Sequence, residues 1–150
     1  MKRIVLRDHT IIPPFGEPAR DLRILNKPLW LLQRDLLARH CDSVIEVDTW
    51  DEIAQTVDGD DELLIHKDNL FFNEDLIETF IASARATGQA CQVAFALDDA
   101  MITTHALRLQ SGIRQAGDVY VADMYYFPEG LDDDPQPLII DTEPQEMGYY

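Results

Sequence analysis

Short apolar runs and amphipathic stretches alternate along the first hundred residues. Lys2-Arg3-Ile4-Val5-Leu6-Arg7 has the apolar centre of a first strand, closed by Asp8 and His9. Thr10 to Leu25 contains Pro13, Pro14, Gly16 and Pro18, so neither a continuous helix nor a central strand fits there. Asn26-Lys27-Pro28 opens a helix, because proline suits a first turn and asparagine caps one. Leu29, Leu32, Leu36 and Leu37 then recur at helical spacing. Ser43 to Val47 reads as a second strand, and Thr49-Trp50-Asp51-Glu52 as a capping box opening a short helix to about Val57. After the turn Asp58-Gly59-Asp60-Asp61 comes a third strand, Leu63 to Lys67, which stops at Asp68 and Asn69. Leu70-Phe71-Phe72 forms an aromatic turn, and Asn73 caps a helix that ends near Thr87-Gly88, where glycine supplies a left-handed residue. Ala90 to Leu97 is a fourth strand, apolar enough to be covered on both faces.

Strand and helix alternate throughout this stretch, which predicts an α/β domain with a mostly parallel sheet and helices on both faces, Rossmann-like in layout. Beyond residue 97 the pattern loosens. Asp98 to Ile102 suggests a helical turn and Ala106 to Leu109 a small strand. Asp118 to Phe127 is the strongest strand signal in the chain, ended by Pro128. An acidic loop, Glu129 to Pro137, leads to a last strand at Leu138-Ile139-Ile140. The 150 residues fit one domain, residues 1–150, and the aromatic end Tyr149-Tyr150 reads as a cut at a boundary before a further carboxy-terminal domain, or as a terminus docked on the body. The sequence leaves homo-oligomerisation open.

Charge narrows the partners. The chain carries a net charge of −16, which argues against nucleic acid polymers and anionic membranes. Residues 1–40 hold eight of the twelve Lys and Arg against four acids, so the amino-terminal end is the cationic one. A phosphate-bearing ligand is expected there. No apolar run approaches the roughly 20 residues that span a bilayer, and Met1-Lys2-Arg3-Ile4 lacks a signal-peptide core, so a cytoplasmic protein is expected. Cys41 and Cys91 have no metal-type spacing and read as reduced thiols.

In an open α/β sheet, ligands bind beyond the carboxyl ends of the strands, which places Asp68 at the expected site. Asp68 reads as a Mg²⁺ ligand, for a hard cation that bridges phosphate oxygens, or as a carboxylate capping its own turn. Asn69 reads as a donor to a ribose or sugar hydroxyl, or as a turn residue. Arg20, Arg23 and Lys27 read as a phosphate grip, since arginine binds phosphate bidentately, or as surface charge. His9, His66 and His105 show no ligand spacing with a cysteine or acid, and Asp132-Asp133-Asp134 reads as a hydrated loop.

Three pieces in order, Asn26-Lys27-Pro28-Leu29, Asp68-Asn69-Leu70-Phe71-Phe72 and Val119 to Phe127, resemble the sugar-phosphate nucleotidyltransferases. That family joins a sugar 1-phosphate to a nucleoside triphosphate and releases pyrophosphate. The first piece resembles its "KP(L/M)" segment, the second its "GDNxF" turn, whose Asp binds Mg²⁺, and the third the strand after its sugar site. The resemblance covers roughly residues 1–131. It implies the nucleotide-diphospho-sugar transferase type of fold, with Asp68 on Mg²⁺ and with Arg20, Arg23, Lys27 and Asn69 on substrate. The family's glycine-rich loop and catalytic lysine have no counterpart, because residues 7–20 carry one glycine and three prolines. The alternative is therefore a non-catalytic relative that binds a nucleotide sugar, regulates or assembles.

Overall fold

The computed structural model describes residues 1–7, 11–12, 17–21, 23–24, 27–96, 113–131, 133–140 and 147–149. It is an α/β protein with a mixed, mostly parallel sheet and three α-helices. In chain order the strands are β1 (Lys2–Leu6), β2 (Ile11–Ile12), β3 (Glu17–Pro18), β4 (Arg23–Ile24), β5 (Lys27–Pro28), β6 (Ser43–Val47), β7 (Leu63–Lys67), β8 (Leu70–Phe72), β9 (Cys91–Ala96), β10 (Arg114–Ala116), β11 (Val119–Phe127), β12 (Gln136–Ile139) and β13 (Met147–Tyr149). The helices are α1 (Leu29–Leu37), α2 (Trp50–Thr56) and α3 (Glu74–Thr87). The expected features at 98–102 and 106–109, with His9, Asn26, His105, Asp132 and Tyr150, lie outside the described residues.

The main sheet runs β12-β9-β11-β7-β1-β6, with β10 alongside β11. β1 sits parallel between β6 and β7, and Leu6 faces both Val47 and Lys67, so three carboxyl ends finish level. β11 departs from the parallel expectation and runs antiparallel to both β7 and β9. β10 and β11 form a hairpin whose two-residue turn has Gly117 at φ +64, so β10 runs opposite to β11 as well.

Two buried clusters form around the sheet. One joins Leu76, Ile77, Phe80, Ile81 and Ala84 of α3 and Leu37 of α1 to Leu64, Val93, Phe95, Met124 and Tyr126. The other joins Ile53 of α2 to Ile4, Leu6, Val47, Leu63, Ile65, Tyr125 and Phe127. Neighbouring residues of one strand fall into different clusters because their side chains alternate across the pleat.

The expected caps form. Thr49 accepts from the Glu52 amide, Asn73 accepts from the Leu76 amide at 3.0 Å, and Gly88 ends α3 in the left-handed conformation at φ +66. α1 differs: Pro28 stands at its cap position with no side-chain cap bond. At the amino rim, Glu62 accepts from Arg85 Nη2 at 2.8 Å and from the Tyr126 hydroxyl at 2.6 Å, tying the end of α3 to the start of β7. No helix among the described residues is long and apolar enough to cross a membrane.

Candidate functional site

β7 delivers Asp68 to the level carboxyl rim. The Asp68 amide donates to the Leu6 carbonyl at 2.9 Å, which extends the β1–β7 ladder by one residue and fixes where the acid leaves the sheet. The chain then reverses at Asp68-Asn69 into β8, where the sequence suggested only a turn. β8 is a strand because β13 pairs with it, Tyr149 opposite Leu70 and Met147 opposite Phe72. That partner lies some 75 residues away in the chain and is invisible to local pattern.

Gln33 of α1 holds the turn from the other side. Its Nε2 donates to the Asp68 carbonyl at 3.0 Å and to the Leu70 carbonyl at 2.7 Å, and the residue is 1% exposed. Leu29, Gln33 and Leu37 form the buried stripe of α1, so a polar residue at the middle of an i, i+4, i+8 apolar face was the available signal. Gln33→Leu keeps the volume and leaves both carbonyls without their donor. Each orphaned buried acceptor costs about 1–3 kcal/mol, so a loss of roughly 2–4 kcal/mol in urea unfolding is expected, with faster amide exchange at Asn69. A loss under half a kcal/mol would mean that the turn stands without Gln33.

Arg20 approaches Asp68 from the amino-terminal segment. Its Nη2 donates to Glu46 Oε1 at 2.7 Å and its Nη1 lies 3.7 Å from Asp68 Oδ2. Asp68 is 1% exposed, and Arg20 is only partly buried. The hydrogen bond from Arg20 holds the Glu46 carboxyl below its usual range, and the same bond raises the Arg20 guanidinium above its own. All three side chains line one cavity of about 210 Å³ between β1, β6 and α1, which Trp30 and Val5 border with apolar surface.

The other candidates stand elsewhere. Arg23 is exposed on β4, which pairs with β5 in a small hairpin, and it does not line this cavity. Lys27 donates to Asp35 at 2.8 Å on the exposed side of α1. Asn69 is buried, 9% exposed, but is not part of the cavity wall. The remaining lysines are also engaged with acids, Lys2 with Asp61 at 2.8 Å and Lys67 with Asp123 at 3.7 Å.

A buried pair with no signal in the local sequence adjoins the cavity, and one member, Arg3, forms part of its wall. Arg3 Nε donates to His66 Nε2 at 3.0 Å, and His66 Nδ1 meets the Lys67 carbonyl at 2.8 Å. The ring can satisfy both contacts only as the tautomer with its proton on Nδ1, which donates to the carbonyl while Nε2 accepts from arginine. Burial, reinforced by the adjacent guanidinium, pushes the His66 pKa down to about 3.

For a cation the donor set is sparse. Asp68 and Glu46 face each other across Arg20, and Asp68 belongs to no group of three potential ligands among the described residues. The one such group, Asp58, Asp60 and Asp61, lies in the turn before β7, at the opposite rim. There Asp61 already accepts from Lys2 and from the Asp58 amide.

Comparison with models of protein families gives no match, and neither does comparison with curated proteins. The class the coordinates define is thus an α/β domain with an acid–arginine–acid cavity at the carboxyl rim of three parallel strands.

Proposed function

We propose that this chain is a nucleotidyltransferase-like domain that acts on or binds a nucleoside triphosphate and a sugar 1-phosphate at the Asp68 cavity. In this reading the sheet is Rossmann-like, of the nucleotide-diphospho-sugar transferase type, with α1 and α3 on one face and α2 on the other. The division of buried residues into two clusters supports that layering. The observation that carries the proposal is the meeting of Asp68 and Arg20 in one cavity beyond β1 and β7, because an acid for a metal and an arginine for phosphate are what such a ligand needs.

Arg20 would exchange its contact with Asp68 for a phosphate oxygen while Glu46 keeps it oriented, and Asp68 would hold Mg²⁺. One or two carboxylates with phosphate oxygens and water form a usual Mg²⁺ shell, so the sparse donor set fits an ion that arrives with its nucleotide. When bound, the ion would neutralise phosphate charge as the sugar phosphate oxygen attacks and pyrophosphate leaves. Gln33 keeps the turn in register throughout.

The second reading, a non-catalytic module that binds a nucleotide sugar and serves regulation or assembly, has its own support. All three lysines of the chain pair with aspartates, and none borders the cavity. Thermal unfolding with nucleoside triphosphates and sugar nucleotides, with and without Mg²⁺, together with pyrophosphate release, separates the two. A Mg²⁺-dependent rise in Tm is expected, and Asp68→Asn is expected to remove that part of it. Pyrophosphate release supports the enzyme, whereas binding without turnover supports the module. If no nucleotide or sugar nucleotide moves Tm, both readings fall.

A further inference from the structure

The inner wall of the same groove carries a charge that the Asp68 site does not use. Arg3 projects from β1 and is 7% exposed, and its one hydrogen bond among the described residues goes to neutral His66. The carboxylates around it are otherwise engaged: Glu46 with Arg20, Asp68 near Arg20, and Asp42 at 3.6 Å from the terminal ammonium of Met1. No described carboxylate lies within ion-pair distance of Arg3. Glu46 attracts it from beyond contact distance, but a buried guanidinium with no ion-pair contact is unfavourable.

Arg3 is aimed at open space. It borders two adjoining cavities, the one of about 210 Å³ described above and another of about 220 Å³ that runs along α1 towards Cys41 and Ser43. Arg34 and Val44 are the other residues that border both. Arg34 rises from α1 with its guanidinium 5.9 Å from the centre of the Trp30 ring and its Nη2 3.4 Å from Asp35, a loose exposed pair that a phosphate can displace.

We propose that the groove between α1 and β6 binds a phosphoryl group between Arg3 and Arg34, at a site separate from the Asp68 turn and independent of metal. Two guanidinium forks match phosphate oxygens, and the anion supplies the ion-pair contact that Arg3 lacks among the described residues. His66 acts as a positioning residue, holding Nε and turning the rest of the guanidinium towards the cavity. The proposal goes beyond the function proposed above, since it requires neither a nucleotide nor Mg²⁺.

Thermal unfolding of the full chain in Mg²⁺-free buffer at constant ionic strength tests it, with inorganic phosphate titrated first and glucose 1-phosphate second. A saturable rise in Tm is expected. A larger rise with glucose 1-phosphate identifies a phosphorylated small molecule as the occupant, and an equal rise identifies the free anion; either supports the site. Arg3→Met is expected to lose the saturable response, and a response that survives in it overturns the proposal. Val44→Glu gives an independent check if Arg3→Met does not fold, because Val44 is 56% exposed and a carboxylate there occupies the groove beside Arg3. It too is expected to lose the response. A response that survives in Val44→Glu, one that never saturates and is shared by every variant, or none in the parent chain overturns the proposal. Asp68→Asn separates the two sites: a phosphate response intact beside a lost nucleotide response supports this site, and one lost with Asp68 places the anion at the turn and refutes it.

Discussion

Between pH 7 and pH 5 the protein is expected to lose about 2 kcal/mol of stability through His66 alone. His66 is fully buried, and its pKa of about 3 in the folded chain compares with an ordinary 6.5. In the folded state the ring stays neutral across this range, whereas in the unfolded chain it takes up a proton below 6.5. Protons therefore favour the unfolded state. The stability is fully present above pH 6.5 and is lost as pH falls towards 3. The groups that face the ring explain why it cannot charge in place: the Arg3 guanidinium on one nitrogen, the Lys67 carbonyl on the other and the edge-on Phe72 ring at 5.5 Å. Glu46, Glu62, Asp35 and Asp61 have lowered pKa values and contribute acid sensitivity of the same sign, but from below their ordinary values of 3.8–4.5. His66→Gln keeps an oxygen for Arg3 and cannot protonate. Urea unfolding at pH 7, 6 and 5 should show the parent chain losing stability against this variant; parallel pH curves would mean that His66 is charged, or absent from the interior, in the native state.

Phe80→Ala is expected to cost about 3–5 kcal/mol, the largest effect of any single truncation considered. Phe80 is 0% exposed and belongs to the cluster that joins α3 to the strands carrying and following Asp68. Truncation removes buried apolar surface and leaves a cavity that its neighbours fill only in part, because Phe72, Phe95 and Leu76 are themselves fully buried and close packed. The midpoint of urea unfolding should fall with little change in slope. A loss below about 1 kcal/mol would show that α3 is not docked on the sheet through this residue.

What was legible in the sequence was local. The strand from Ser43 to Val47, the Thr49 and Asn73 caps and the glycine that ends α3 follow from hydrophobic period and from backbone groups that lack partners within a few residues. The acid at the end of β7 follows from the same logic. What was not legible depends on partners distant in sequence. Arg3 and His66 are 63 residues apart, and nothing local says that a histidine inside an apolar strand accepts from an arginine inside another. Glu46 meets Arg20 across 26 residues, and the antiparallel run of β11 shows only in its pairing with β7, some 60 residues earlier in the chain. Lys27 illustrates the opposite outcome. It stood in a suggestive segment, but it lies on β5 just before α1, and Asp35 of that helix accepts from it at 2.8 Å.

The antiparallel strand β11 also governs how the polypeptide is made. β7 and β9 do not touch directly in the sheet; β11 lies between them and bonds to both. During synthesis both strands emerge well before Val119, and at about 5–20 residues per second each waits for seconds with a bonding edge open. Open edges of apolar strands recruit other chains. A ribosome stall before residue 119 would therefore release a sticky, half-built sheet, and the burden on chaperones should fall most heavily in that interval.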